Sequence, residues 1–180
     1  MKYLKYILGL IAILVIGFFL IGIISPKLNY DCEVIVEKSA TESWAVLQDE
    51  EKMPEWLIGY QKTEHLSGTP GPIGAVTLIY FDNDGQQMSI QETITDIIPG
   101  KSMSMTFEDD FMKMDYEISL TTKGGKTTIN SSSTAVGNNT VSKSIMALMG
   151  GVIKAQEETN LLNLKEVIEQ NTKDYTTSLP

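Results

Sequence analysis

The stretch ETITDIIPGKSMSMTF, residues 92–107, decides the fold class of this chain. Its first part carries isoleucine and threonine at close spacing, which favours a β-strand, and Pro99-Gly100 predicts a turn. After the turn, Met103, Met105 and Phe107 alternate with serine and threonine. That alternation is typical of a strand with one face in a core, so the stretch predicts a strand, a turn and an antiparallel strand.

The same strand pattern continues on both sides of this stretch. Asp82-Asn-Asp-Gly85 and Lys123-Gly-Gly-Lys126 predict further tight turns between strands. We expect about seven antiparallel strands, at residues 29–38, 60–66, 75–81, 86–97, 103–107, 113–120 and 127–136.

Helical signals stand before and after the strands. Ser39-Ala-Thr-Glu42 matches a capping box and predicts a short helix, and Pro54 predicts the start of a second one. A long helix is expected from residue 141 to about residue 173, since apolar residues follow one stripe. Gly150-Gly151 lies inside this helix, where the pair indicates either close packing or a hinge.

The N-terminal segment is apolar. From Ile7 to Ile24 every residue is apolar or glycine, and a helix of this length extends about 27 Å, close to the thickness of a bilayer core. Lys2 and Lys5 precede it, which fits either an uncleaved anchor or a cleaved signal peptide. For an anchor, these lysines favour a cytoplasmic N-terminus and a single-pass protein of the cell membrane with its domain on the extracytoplasmic side. The expected division is an anchor and linker at residues 1–27, one domain at 28–175 and a frayed tail at 176–180.

Charge argues against nucleic acid as a partner. The chain has 14 basic and 23 acidic residues, and all of the basic residues are lysines. The 12 lysines after the apolar segment, against 23 acids, leave the rest of the chain with a net charge of −11. Nucleic-acid binding depends on clustered lysine and arginine, so we expect no nucleic-acid partner.

The stretch GTPGPIGAV, residues 68–76, has three glycines spaced by three. A phosphate loop would need a helix after it and a lysine near the phosphates, and neither follows. We therefore interpret it as a turn between strands, in which the glycines permit positive φ.

The order of these pieces resembles a known family. SATESWAVLQDEEKMPEWL follows the first strand, GTPGPIGAVTLIYF enters the third, ETITDIIPGKSMSMTF runs through a strand pair, and a long helix closes the chain. Together they look like the helix-grip fold of the START-like, SRPBCC superfamily, in its polyketide cyclase/dehydrase-like branch, over residues 28–173. The resemblance implies an α+β fold in which a curved sheet of about seven antiparallel strands and the long helix enclose a deep apolar cavity.

Residues that carry chemistry are sparse. His65 is the only histidine and Cys32 the only cysteine, and no nucleophile elbow or metal-ligand spacing is present. We therefore predict no catalytic residues, no cofactor and no metal.

One strand face is the candidate ligand site. Met88, Ile90 and Ile94 share alternate positions with Glu92, so that face is expected to point inward, unless a bulge turns Glu92 to solvent. An inward Glu92 should have a raised pKa or bond to Tyr80 or Tyr116. With the resemblance supplying a cavity, methionines on the strands and the long helix either line it or fill an ordinary core. The predicted ligand-binding residues are Glu92, Tyr80, Met88, Met105, Tyr116 and Met149.

The first functional hypothesis is a membrane-anchored module that binds an apolar small molecule or lipid. The alternative is a cyclase or dehydratase that acts on a hydrophobic polyketide-like substrate by general acid/base catalysis. A partner-binding domain with a filled core stays open as a third hypothesis.

Overall fold

The computed structural model describes residues 2–83 and 85–175. It contains four α-helices, which are α1 (Lys2–Ile24), α2 (Ala40–Leu47), α3 (Met53–Trp56) and α4 (Thr140–Gln170). Seven strands are present in the described ranges, at β1 (Lys27–Val36), β2 (Tyr60–Ser67), β3 (Val76–Asn83), β4 (Gln86–Ile98), β5 (Ser102–Glu108), β6 (Met112–Lys123) and β7 (Lys126–Gly137). The predicted tail at residues 176–180 lies outside the described residues.

All seven strands form one antiparallel sheet in the order β1-β7-β6-β5-β4-β3-β2. The strands from β2 to β7 are neighbours in sequence and in space, while β1 pairs with the last strand. This sheet, the two short helices and the long C-terminal helix confirm the predicted α+β architecture.

One face of the sheet, called the inner face below, packs against α2 and α4. Its buried residues alternate along β1 and β7, as in Val34 and Val36, which stand opposite Ile129 and Thr127. The core joins them to Trp44 and Val46 of α2 and to the second half of α4, where the buried residues are Leu161, Leu164 and Ile168. Apolar burial on this face is the main contribution to stability.

The hydrogen bonds at the start of α2 explain why the capping-box pattern predicted this helix. The Ser39 hydroxyl accepts a hydrogen bond from the Glu42 amide at 3.2 Å. The Glu42 carboxylate, however, binds Lys38 Nζ at 2.7 Å, so only the serine half of the predicted capping box forms. Pro54 lies in the first turn of α3, as expected.

The glycine loop before β3 is a turn, as predicted. Gly68, Gly71 and Gly74 have φ values of +81°, +92° and +85°, which other residues rarely adopt. The Gly74 amide donates to the Ile94 carbonyl at 2.8 Å, which fastens the end of the loop to β4.

The long helix differs from its prediction at two places. It ends at Gln170, not near residue 173, because Asn171 leaves the helical conformation and Lys173 turns back to bind Asp49 at 2.8 Å. Close packing occurs at Gly150, where a Cβ atom would stand 2.7 Å from Leu28 Cδ1. Nothing lies within 4 Å of a Cβ on Gly151, so within the pair the close-packing alternative holds for Gly150 and not for Gly151.

Helix α1 contains the candidate membrane span. Residues Tyr3–Ile24 are long and apolar enough to cross a bilayer, by length and composition alone. The end of α1 contacts α4, where Gly22 is buried and a Cβ atom on it would meet the hydroxyl of Ser144. Only two residues, Ser25 and Pro26, separate α1 from β1.

Candidate functional site

The candidate site is built from two neighbouring rows of residues that cross the inner face. Strand register sets the first row as Thr77, Glu92, Phe107 and Met114. The second row is Ile94, Met105, Tyr116, Ser133 and Tyr30. Opposite residues in antiparallel strands share a face, so these rows place polar groups among apolar side chains.

Helix α4 does not close over these rows. Its sheet-facing stripe is buried at Met146 and again at Leu161, but Gly150, Ile153 and Glu157 between them are only half-buried. No residue from Ala147 to Thr159 is buried. The middle of α4 therefore covers the two rows only in part, although Gly150 still packs closely on Leu28 at the start of β1.

Two grooves lie in the described part of the chain, and neither is lined by the residues of the two rows. One groove of about 640 Å³ lies elsewhere, between α3 and the end of α4, and is lined by charged and polar residues that include Glu51, Glu166 and Lys173. A second groove, of about 390 Å³, lies on the outer face beside Asp31, Glu33 and Glu117. On the inner face, half-buried residues such as Glu92 and Phe107 leave a partly open surface below the middle of α4, and the deep cavity implied by the resemblance stays a prediction.

A tyrosine and a glutamate join the sheet to α4 at this surface. The Tyr116 hydroxyl donates to Glu157 Oε1 at 2.8 Å. Burial raises the pKa of Tyr116 well above its usual value, and the nearby negative charge of Glu157 adds to that shift. The Phe107 ring packs edge-on against Tyr116, with ring centroids 5.9 Å apart. Tyr116 therefore stays protonated and acts as a hydrogen-bond donor.

Two buried serine hydroxyls lie beside this pair. Ser131 and Ser133 are 1% and 2% exposed, and neither hydroxyl has a hydrogen-bond partner among the residues the structure describes. Burial raises the pKa of Tyr30, and the nearby Ser133 hydroxyl offsets part of that shift. The nearby Ser131 hydroxyl likewise offsets part of the raised pKa of Tyr116. Neither approach meets hydrogen-bond geometry, and the contact of the Tyr30 hydroxyl is to Met114 Sδ at 3.7 Å. Buried polar groups usually have partners, so these two hydroxyls indicate a place for a ligand or for water.

Glu92 points into the inner face, at its half-buried part. Its Oε1 accepts a hydrogen bond from Thr77 Oγ1 at 3.2 Å. Desolvation raises the pKa of Glu92, the Thr77 hydrogen bond opposes the shift, and the charge of Glu50 supports it. Of the two alternatives predicted for Glu92, the raised pKa is the one found. Its hydrogen bond comes from Thr77, directly opposite on β3, and not from Tyr80 or Tyr116.

The structure brings together three of the six predicted site residues. Glu92, Met105 and Tyr116 share the two rows, and Met105 is 5% exposed. The inward orientation predicted for Tyr80 is wrong. Its neighbours across the sheet are Lys62 and Ser89, on the outer face, and its hydroxyl donates to Glu64 at 3.0 Å.

The other two predicted residues lie at the margins. Met88 stands opposite Phe81 near the start of β4 and is 44% exposed. Met149 is 45% exposed on the open stretch of α4. Whether either contacts a ligand stays a prediction.

The sequence prediction missed Glu157, Ser131, Ser133 and Tyr30. For two of these residues, the sequence pattern does indicate an inward position. Glu157 occupies a position between Ile153 and Leu161, each four residues away, so it falls in the sheet-facing stripe of the helix. Tyr30 has the same strand parity as Val34. The serines gave no such signal, because β7 is rich in serine and threonine on both faces.

Metal chemistry finds no support in this part of the chain. Within residues 2–83 and 85–175, no group of three histidine, cysteine or acidic side chains could hold a metal ion. His65 is exposed on the edge strand β2, away from the two rows, and its Nε2 atom lies 2.8 Å from the Gly68 carbonyl oxygen.

Solved structures share the fold at low sequence identity. The aromatase/cyclase Zhui from Streptomyces sp. R1128 matches with a TM-score of 0.68 and 16% identity, over 83% of this chain and 98% of that one. Ara h 8.0201 matches with a TM-score of 0.64 and 15% identity, over 81% and 99%. A protein of unknown function from Staphylococcus aureus matches with a TM-score of 0.65 and 12% identity, over 82% and 97%. No curated protein matches the sequence at a significant level.

The sequence itself matches a family profile over residues 30–169, which is most of the chain. That profile is described as polyketide cyclase / dehydrase and lipid transport. It begins in β1 and ends just before the last residue of α4, so it covers the sheet and every helix that packs on it but leaves out α1. The match supports a role in binding a hydrophobic ligand or in cyclisation. The chain belongs to the polyketide cyclase / dehydrase and lipid transport family.

Proposed function

We propose that this chain is a membrane-anchored module that holds an apolar small molecule or lipid on the inner face of the sheet, below the middle of α4. The observation that carries the proposal is the unpartnered pair of hydroxyls on Ser131 and Ser133, buried below the stretch of α4 that has no buried residue. A ligand at this place would supply the missing hydrogen-bond partners.

The residues of the two rows indicate the chemistry of the ligand. Ile94, Met105 and Phe107 offer apolar contact, which suits a hydrocarbon or an aromatic body. Tyr116 and Ser133 offer hydroxyls to a single polar group. Glu157 and Glu92 lie on either side, so an anionic group would be repelled. We expect the ligand to carry a neutral or cationic polar group at one end.

The anchor in this proposal is residues 1–27, followed by the domain at residues 28–175. Its support is the apolar helix from Tyr3 to Ile24 and the lysine at position 5, together with the acidic character of the rest of the chain. The same charge pattern favours an extracytoplasmic domain at the cell membrane.

A second candidate function is general acid/base catalysis on a hydrophobic substrate. The Tyr116–Glu157 pair favours it, because a protonated tyrosine beside a carboxylate provides a donor and an acceptor in one partly open site. In this function Tyr116 would give a proton to a substrate oxygen, and Glu92 or Glu157 would accept one from carbon. Turnover of a polyketide-like ketone by the purified chain would support this function over simple binding.

Native mass spectrometry of the full chain, extracted in mild detergent, tests the binding proposal. The wild type should carry a small molecule that survives extraction. Ser133→Leu should fill the site and lose that mass, while Ser132→Leu, one residue along β7 on the outer face, should keep it. Circular dichroism checks that both variants fold.

Two results would contradict the proposal. One is folded wild-type protein with no bound small molecule, extracted from membranes under several mild detergents. The other is equal retention of the molecule by a folded Ser133→Leu variant and by the wild type.

A further inference from the structure

One side of α4 carries exposed or half-buried apolar residues along its first half, whereas Leu162 is the one large apolar side chain exposed in its second half. This surface, called the α4 flank, consists of Val141, Ile145, Leu148, Met149 and Val152. Their spacing of three, four and seven residues places them on one side of the helix. Leu148 and Val152 are 60% and 63% exposed, so nothing in the described chain covers them.

Charge separates the two halves of α4 in the same way. From residue 140 to residue 153 the only charged residue is Lys143, which lies on another side of the helix than the flank. From residue 154 to residue 170 there are six charged residues. An exposed apolar surface of this kind is unusual on a water-soluble helix.

The contacts of α1 show where the flank lies relative to the candidate span. Gly150 of α4 adjoins Leu28, at the start of β1, while Ser144 adjoins Gly22, inside α1. Moving from Gly150 back to Ser144 along α4 therefore means moving from β1 back into the apolar helix. The first turns of α4 run beside the last turns of α1.

We infer that the α4 flank lies in the surface of the lipid bilayer that α1 enters. The inference rests on the proposed anchor: a span that ends at Ile24 brings the level of Gly22, and with it Ser144 and the flank, to the edge of the hydrocarbon core. The flank then continues the apolar surface of α1, and the charged half of α4 stays in water.

The neighbouring loop fits this placement. Phe111, which is 38% exposed, accepts a hydrogen bond at its carbonyl from the amide of Asn138, just before α4. Aromatic side chains favour the interface between water and lipid. The Asp109 carboxylate is engaged by the amides of Phe111 and Met112, both at 2.7 Å.

Site-directed fluorescence on the full chain in phosphatidylcholine vesicles tests the inference. In a Cys32→Ser background, Leu148→Cys carries a polarity-sensitive label on the flank. Leu162→Cys, 57% exposed in the charged half of α4, is the matched control, and Leu14→Cys reports insertion of α1. Quenching is compared between lipids that carry a nitroxide near the head group and iodide in the water.

The Leu148 label should lose most of its fluorescence to the nitroxide lipid and be protected from iodide, while the Leu162 label should show the reverse. An inserted Leu14 label with an iodide-accessible Leu148 label would overturn the inference while the anchor stands. A Leu14 label that is itself accessible to iodide would overturn the anchor. Protection of Leu148 from both quenchers would mean that a second copy covers the flank, which also overturns the inference. Val152→Cys gives a second position on the flank if the Leu148 variant does not fold.

Discussion

A hydrogen bond between a tyrosine and a glutamate lies on each face of the sheet. On the outer face, the Tyr80 hydroxyl donates to Glu64 at 3.0 Å, and on the inner face the Tyr116 hydroxyl donates to Glu157 at 2.8 Å. The outer pair is exposed, and the pKa of Tyr80 is raised mainly by its hydrogen bond to Glu64. The pKa of Tyr116 is raised mainly by burial.

The two pairs contain the same residue types, so the difference between the tyrosines comes from their surroundings. The inner tyrosine is suited to a ligand site because it is buried. In water, an exposed tyrosine that loses its partner bonds to solvent at little cost. On the inner face water is scarcer, so a polar group without a partner is expensive. A ligand that makes a hydrogen bond on the inner face therefore gains more binding free energy than it would from the same bond on the outer face.

The largest expected difference between the two faces concerns apolar burial on β6. Ile118 is 2% exposed on the inner face, and the preceding residue, Glu117, is exposed on the outer face. Ile118→Ala should lower the free energy of unfolding by about 2–5 kcal/mol, because it leaves a cavity in the core. Glu117→Ala should cause little change.

Urea unfolding of the full chain in detergent micelles, followed by the fluorescence of Trp44 and Trp56, measures this difference. Equal urea midpoints for the two variants would show that the inner face is not the core of the folded protein.

The two tyrosines provide the next comparison. Tyr116→Phe removes the donor to Glu157 and should lower the free energy of unfolding by about 1–2 kcal/mol, since a partly buried carboxylate loses its hydrogen bond. Tyr80→Phe makes the same change on the exposed face and should leave the urea midpoint unchanged. If both variants unfold at the wild-type midpoint, the inner pair is as well solvated as the outer one.

A smaller effect depends on pH. Thr77 Oγ1 donates to Glu92 on the inner face and Thr106 Oγ1 donates to Asp115 on the outer face, both at 3.2 Å. A carboxyl group whose folded pKa is raised stabilises the fold fully below its unfolded pKa, about 4.3 for glutamate, and this contribution is lost as pH rises through the folded pKa.

Thr77→Val removes the bond that holds the pKa of Glu92 down, so its loss of stability should grow as pH rises from 4 to 7. Thr106→Val should show no such growth, because water replaces the hydroxyl beside exposed Asp115. Urea midpoints at a series of pH values provide the test. Parallel curves for the two variants would place Glu92 in solvent.

Absorbance at high pH gives the smallest signal, since it follows single tyrosines. Tyr116 should ionise after Tyr80, because burial raises its pKa further. Subtracting the titration of Tyr80→Phe from that of the wild type isolates the outer residue, and Tyr116→Phe isolates the inner one. Ionisation of Tyr116 at or below the pH at which Tyr80 ionises would remove the distinction between the faces.

The strands were predictable because their polar and apolar residues alternate or are bounded by turn residues. β5 and β6 show this, and Gly100 and Gly124 mark the turns that flank them. The face of Tyr80 was not predictable in the same way. In AVTLIYF nearly every residue is apolar, so the sequence has no alternation there and only pairing with β2 and β4 sets the orientation.

The site was predicted in part. Glu92, Met105 and Tyr116 could be placed inward from strand parity alone. The partners of these residues come from elsewhere in the chain, since Glu157 lies 41 residues from Tyr116 and Thr77 lies 15 residues from Glu92. Such pairs depend on strand register and on how α4 packs on the sheet, and the local sequence determines neither of these.

The short connection between α1 and β1 limits how far the domain can travel. Ser25 and Pro26 are the only residues between them, and the Ser25 amide still bonds to the Ile21 carbonyl at 2.9 Å. A two-residue connection spans at most about 7 Å. With α1 in the bilayer, as we propose, the domain cannot ferry cargo to a second membrane. It must bind and release its ligand at the membrane that holds α1. Transport over a longer distance therefore requires a soluble acceptor that comes to the domain.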